Sequence, residues 1–534
     1  MEQPKEQPSN APRRRKIEFD ARWLIILVVI ISVTVTTIML NNKVDNATID
    51  YVTDAMDVDN GDQKINWSKY QSKNIELHDS LTISESGTYH LTGSIPDGAI
   101  TVNAASGVVK LILDNVSIVN QTGPAISCVA ADDLVIELVG DSSIVDGTSY
   151  SAEYDADVTG AIYSKGDLTF TGNGSLKVTA NYQDGIVSKD DLKFNGGTYN
   201  IKAKDDGIRG KDSVYIIAGS FVIDAAADAI KSTNETDQGK GFVLIEDGNF
   251  NIKALAKGIK ATNNILIEGG SFSINSYDDS IHSNNYIGIK NGSINISSKD
   301  DGIHADRSVV IEDGSINIAL AYEGVESQSI TINGGTLNLT TSDDGINAGG
   351  GADNSANNRP GAGTFAADEN CIIAINGGKI YVNASGDGID SNGWLYFNDG
   401  EVVVDGPTNN GNGSLDAGMG IVQNGGKVLA IGASGMAESL GSNSAVNNIM
   451  VILSQTYPSG TAIAIKDSED NIVFSHKSAK SFSSIVAGSS DFVLGAQYGI
   501  YLNDELYNTI TISNITTTSG NNANSHAPAP QNRR

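Results

Sequence analysis

Short runs in which apolar and polar residues alternate recur along the chain, each behind a glycine: GGTYNIKA, GGSFSINS, NGSINISS and GGTLNLTT. Alternation with period two marks strands that bury one face. The glycines that head these runs (Gly197, Gly219, Gly248, Gly270, Gly292, Gly314, Gly335, Gly378, Gly400 and Gly426) keep a regular beat. They mark places where the backbone turns through positive φ. A second column runs in step, in motifs such as QDGIVS, DDGIRG, DDSIHS, DDGIHA and GDGIDS. Its apolar centres are Ile186, Ile208, Ile230, Ile259, Ile281, Ile303, Val325, Ile346 and Ile389, most of them 22 residues apart. The two longest steps contain the polar insertions TNETDQG and GGGADNSANNRPGAGTFAADEN. No stretch of this region has a helical period.

A period near 22 made only of short strands and turns predicts an all-β, right-handed parallel β-helix. Each coil lays its strands on those of the next, about 4.8 Å away, and the stack supplies the core that one coil lacks. The repeats predict a solenoid over residues 96–430, entered through a linker and cap over 41–95. Beyond Gly426 the period is lost. NNIMVILS, GTAIAIKD, NIVFSH and YGIYLND predict a small antiparallel C-terminal cap over 431–515, and residues 516–534 read as a disordered tail.

In each repeat the central isoleucine points inward, so the residue after it points outward. That outward column reads Val187, Arg209, Lys231, Lys260, His282, His304, Glu326, Asn347 and Asp390. The next column is inward and small, from Ser188 and Gly210 to Ala348 and Ser391. Just before the turn glycine stands a ladder of acids: Asp184, Asp205, Asp206, Asp228, Asp278, Asp279, Asp300, Asp301, Glu323, Asp343, Asp344 and Asp387. Carboxylates stacked at coil spacing repel one another, and a hard cation with 6–8 oxygen ligands relieves that repulsion. These acids are candidate calcium ligands, and Asp-Gly is also ordinary turn chemistry. Arg209, Lys231, Lys260, His282 and His304 form a candidate line for an acidic sugar polymer, or a salt-bridged face of the solenoid. Tyr182, Tyr277, Tyr322 and Trp394 lie near the turns and could stack on sugar rings.

Composition narrows the partners. The chain has 534 residues and a net charge of -29, which argues against direct nucleic-acid binding. The run Trp23–Leu40 carries no charge, follows Arg13, Arg14, Arg15 and Lys16, and is long enough to span a bilayer core. The sequence therefore predicts a basic cytoplasmic segment over 1–22, a single-pass anchor over 23–40 and everything after it outside the cell. Beyond residue 40, 29 basic residues stand against 60 acidic ones. Cys128 and Cys371 read as buried small hydrophobes rather than a disulfide framework.

The stretches YQDGIVSKDDLKFNGGTYNIKAKDDGIRGKDSV (182–214), YEGVESQSITINGGTLNLTTSDDGINA (322–348) and GDGIDSNGWLYFNDGEVVVDGPTNNGNGSLD (386–416) resemble the clostridial-type carbohydrate-binding β-helix family. The likeness covers about residues 75–515. It implies a pectate-lyase-like parallel β-helix, bound calcium, and plant cell-wall polysaccharides, acidic pectic chains or cellulose, as partners. The doubled aspartate also resembles a calcium motif of β-helix polyuronate lyases, Asp-Asp-Gly-aromatic-Asp. That likeness implies a first shell of Asp184, Asp205 and Asp206, with Lys231 or Lys260 as base. Here the fifth position is Arg209, His304 or Asn347, and only GDGID restores an acid, Asp390.

Two functions follow as expectations. One is a membrane-anchored, calcium-loaded surface module that binds polysaccharide without reaction. The other is a calcium-dependent lyase in which Arg209, Lys231 or Lys260 takes the proton during β-elimination. A surface stalk that meets another protein is a third reading.

Overall fold

The computed structural model describes residues 56–59, 64–105, 107–349 and 367–520. The repeats build a parallel β-solenoid of about 14 turns. One turn illustrates the plan. Ile259–Ala261 forms a short strand at the motif, Asn264–Ile267 a second strand, and Ser271–Ser276 a third behind the glycine. The chain then meets the next motif strand at Ile281–Ser283. Equivalent residues stack in register, as in Ile259↔Ile281↔Ile303 and Phe250↔Phe272.

The isoleucine column is the core. Ile186, Ile208, Ile230, Ile259, Ile281, Ile303, Val325, Ile346 and Ile389 are fully buried. Phenylalanines stack beside it at coil spacing: Phe221 on Phe250 at 5.0 Å and Phe250 on Phe272 at 4.6 Å, with rings within 2° of parallel. The small inward column is buried as read, with Ser188, Ser232, Ala261, Ser283, Ala305, Ser327, Ala348 and Ser391 at no more than 1% exposure. The glycine column adopts positive φ. Gly270 shows the reason: its φ is +103°, and a Cβ there would lie 2.9 Å from the Gly248 carbonyl oxygen of the preceding coil. At another corner an asparagine ladder satisfies the turns, Asn424 to Asn398 to Asn376 to Asn333, each side-chain amide donating to the one before at 2.7 Å.

The boundaries differ from the sequence reading at both ends. Ser72–Leu77 already pairs in parallel with Gly87–Ile95, so the stack starts inside the region read as linker and cap. Those coils alternate correctly and lack the DGI motif that made the others visible. At the other end the antiparallel cap is present. Lys427–Gly432 pairs antiparallel with Phe482–Ser489, and a separate four-stranded antiparallel sheet joins Ile472–Lys477, Ala462–Lys466, Gln497–Leu502 and Glu505–Thr511. Thr516–Ser519 adds a strand parallel to Asn448–Tyr457, where the sequence reads as tail. Cys128 and Cys371 are free and buried. The charge-free run Trp23–Leu40 lies outside the described residues; among the described residues no helix is long and apolar enough to cross a membrane.

Candidate functional site

The motif strands place the second acid of each turn inside the wall of the solenoid. One oxygen of each carboxylate accepts the backbone N–H of its counterpart one coil later. Asp206 N donates to Asp184 Oδ1 at 3.1 Å, Asp228 N to Asp206 Oδ1 at 3.1 Å and Lys257 N to Asp228 Oδ1 at 3.0 Å. The same bond links Asp301 to Asp279 at 3.1 Å, Glu323 to Asp301 at 3.0 Å and Asp387 to Asp344 at 2.6 Å. These acids are structural in the first instance, because they satisfy turn amides that would otherwise be buried without acceptors. In the middle coils the first acid of each pair is more open, with Asp205 exposed and Asp278 and Asp300 half-buried, whereas Asp343 and Asp344 are both half-buried.

The second carboxylate oxygen meets the column read as outward, and over the middle coils that column is consumed by the ladder. Arg209 Nη2 lies 2.8 Å from Asp184 Oδ2. Lys231 Nζ lies 2.9 Å from Asp228 and 3.3 Å from Asp206. Burial opposes the Lys231 charge, but Asp228 and Asp206 outweigh it and raise its pKa. His282 and His304 do not face solvent; they are 3% and 2% exposed, walled in by acids of their own and adjacent coils. Lys260 is half-buried and, among the described residues, makes no ion pair. Lys257, which occupies an acid's slot in the repeat, puts its ammonium 2.6 Å from Asp279 and 2.9 Å from Asp278.

Past Glu323 the motif column carries no basic residue among the described residues, and the acids continue. Register aligns Glu326 with Asn347, Asn347 with Asp390 and Asp390 with Asp416. Asp344, Asp387 and Glu438 flank this line, all half-buried. Burial, then Asp387 and Asp343, push Asp344 up to about 8. Burial, then Asp344 and Asp416, push Asp390 up to about 9. Burial and Asp416 push Glu438 up to about 8, and burial raises Asp387 to about 6 against a hydrogen bond from the Gly413 amide. Among the described residues, no basic side chain is one of the main causes of these shifts. Asn347, 9% exposed, donates its amide to Glu323 Oε2 at 2.9 Å and leaves Oδ1 buried without a partner. An all-oxygen set with an orphaned carbonyl oxygen fits a hard divalent cation.

Asp184, Asp205 and Asp206 do come together, with oxygens within 4.8 Å of one another, as do Asp278, Asp279 and Asp300. These groups carry Arg209, Lys231 or Lys257 as internal counterions. Sequence reading missed three members of the uncompensated end. Asp416 and Glu438 lie beyond the last recognised motif, and an amide at position 347 carries no charge signal. Of the aromatics, Tyr277 is 67% exposed beside Asp278. Tyr182 instead stacks on Tyr150 at 4.3 Å, and Trp394 stacks on Tyr396 along the outer side of the next strand.

A family model described as carbohydrate-binding domain-containing protein matches residues 78–345. A relative with the same description from Acetivibrio thermocellus is 35% identical over 128 residues, which is 23% of this chain and 45% of the relative. The aligned part therefore spans less than half of that relative's length. A solved polysaccharide lyase-like protein from C. thermocellum, determined as a gadolinium derivative, is 28% identical, with a TM-score of 0.38, over 45% of this chain and 96% of its own.

Proposed function

The chain belongs to the family of carbohydrate-binding domain-containing proteins, and from that premise we propose that it is a non-catalytic surface module whose calcium-loaded acid ladder grips acidic polysaccharide. The observation that carries the cation is the uncompensated end of the ladder: Asp344, Asp387, Asp390, Asp416 and Glu438 beside the orphaned Asn347 Oδ1. Calcium there neutralises the ladder and presents positive charge to the carboxylates of a uronate chain such as a pectic polymer. Lys260 and the exposed Tyr277 ring extend the same surface along the axis. Cellulose is the neutral alternative among plant cell-wall polymers. The run Trp23–Leu40 would tether the module to the cell membrane with the solenoid outside.

The pairing of Arg209 and Lys231 argues against either of them as the base of an elimination. A base must be neutral to take a proton. Lys231 is held charged by two aspartates, and Arg209 is tied to Asp184 and to the Thr159 hydroxyl. The experiment is retention of the purified full chain on polygalacturonate and on cellulose, with calcium and with chelator, while absorbance of unsaturated products is followed. Calcium-dependent retention on polygalacturonate without new absorbance supports the reading. Calcium-dependent absorbance replaces it with a lyase, and no retention on either polymer removes the glycan.

A further inference from the structure

A second, chemically different cluster adjoins the acid end, its Glu326 lying in register with Asn347. His304 is 2% exposed. Its Nδ1 is 3.1 Å from Glu326 Oε2, 3.3 Å from Asp301 Oδ2 and 4.0 Å from Asp279 Oδ2. One ring nitrogen cannot serve three carboxylates through a single N–H. Its Nε2 has no hydrogen-bond partner; the nearest acid oxygen, Asp306 Oδ1, is 3.7 Å away and is itself buried and unpartnered. With Nδ1 taken by a proton or by a metal, Nε2 carries an N–H that points toward Asp306.

His282 on the preceding coil has the same orientation. Its Nε2 faces Asn284 Oδ1 at 3.0 Å and its Nδ1 faces Asp279 Oδ2 at 2.8 Å. Either a proton or a metal ion on Nδ1 can bridge the ring to the Asp279 carboxylate. Asn284 orients the ring from its outer side. The two rings are stacked at coil spacing, 5.0 Å between centroids. Lys257 also reaches Asp279 Oδ2, at 2.6 Å, so that oxygen already has one cationic partner.

We propose that His304 Nδ1, Asp301 Oδ2 and Glu326 Oε2, closed from the preceding coil by Asp279 and His282, form a binding site for a borderline divalent transition metal of the zinc class. Metal–nitrogen and metal–oxygen bonds of about 2.0–2.2 Å place two ligand atoms at most about 4.4 Å apart. The nitrogen–oxygen separations of this cluster, 2.8 to 4.0 Å, fall inside that span. Imidazole nitrogen selects zinc, cobalt, nickel or copper over calcium, whereas the acid end offers oxygen alone. Glu326, with 18% of its side chain exposed, is the entry side; the other ligands are closed off. The site does not rest on the glycan reading. A metal here pins adjacent coils together and leaves the calcium end free.

The test uses the full chain without a histidine tag, stripped with chelator and titrated with Zn²⁺ in the presence of millimolar Ca²⁺, and separately with Co²⁺ followed by visible absorption. The expected result is a single zinc per chain that calcium does not displace, and a Co²⁺ spectrum of nitrogen–oxygen ligation. Affinity should fall about ten-fold or more in His304→Gln and in Glu326→Gln. It should be unchanged in Asp344→Asn/Asp390→Asn. Glu326→Gln is the safeguard against a folding defect, since that residue is the least buried ligand, and circular dichroism checks both variants. No zinc retained, zinc indifferent to His304→Gln and Glu326→Gln, or zinc lost with the acid-end variant each overturns the proposal.

Discussion

Lys257 and Lys260 are three residues apart and have opposite roles. Lys257 is a buried ammonium bonded to Asp278 and Asp279, and these acids hold it charged against its burial. Lys257→Met in metal-free protein leaves that pair of carboxylates without its lysine and is expected to cost about 3 kcal/mol of unfolding free energy, read by urea denaturation. Lys260 makes no ion pair among the described residues. Lys260→Ala should shift stability by less than about 0.5 kcal/mol and should weaken retention on polygalacturonate, with the loss shrinking as salt rises. The sequence already contained part of this contrast, since AKGI puts a lysine where its neighbours have aspartate. The burial of His282 and His304 was not legible in it. Alternation turns their Cβ atoms away from the core, but acids of their own and adjacent coils, together with Asn284, close over the rings, and only the three-dimensional stacking brings those groups there.

Among the elements, the motif strand and the glycine-led strand were legible because each recurs with little change. The phenylalanine stack depends on that register: Phe221, Phe250 and Phe272 share one column with rings 4.6 to 5.0 Å apart. Phe250→Ala opens a cavity flanked by two rings on adjacent coils and should destabilise by about 3–5 kcal/mol in equilibrium unfolding. What escaped the sequence were elements without the motif. The coils from Ser72 onward have alternation alone, and Asp416 and Glu438 fall where insertions and the cap have broken the period. Their place in the acid end follows from register, with Asp390 on Asp416, rather than from spacing along the chain.

The whole molecule has a polarity of charge along its axis. Middle coils pair their ladder acids with Arg209, Lys231 and Lys257, whereas Asp344, Asp387 and Asp390 near the cap have no such partner among the described residues. That asymmetry predicts a pH dependence with a definite sign. Asp387, Asp344, Glu438 and Asp390, raised to about 6, 8, 8 and 9, bind protons more tightly folded than unfolded. Their contribution is therefore present below the unfolded carboxylate pKa and lost as pH climbs through the folded values. Without divalent ions, Tm should fall from about pH 5 to pH 9, and calcium should restore it most at the alkaline end. A Tm that stays flat over that range without metal would count against an uncompensated acid end.

The most direct measurement is a calorimetric titration of calcium into the full chain and two charge variants at neutral pH. Asp344→Asn/Asp390→Asn changes the uncompensated end, and Asp205→Asn changes the exposed acid beside Arg209 and Lys231. The first variant is expected to lose the calcium isotherm together with calcium-dependent retention on polygalacturonate, while the second keeps both. Calcium binding that survives the first variant and disappears in the second would contradict this expectation.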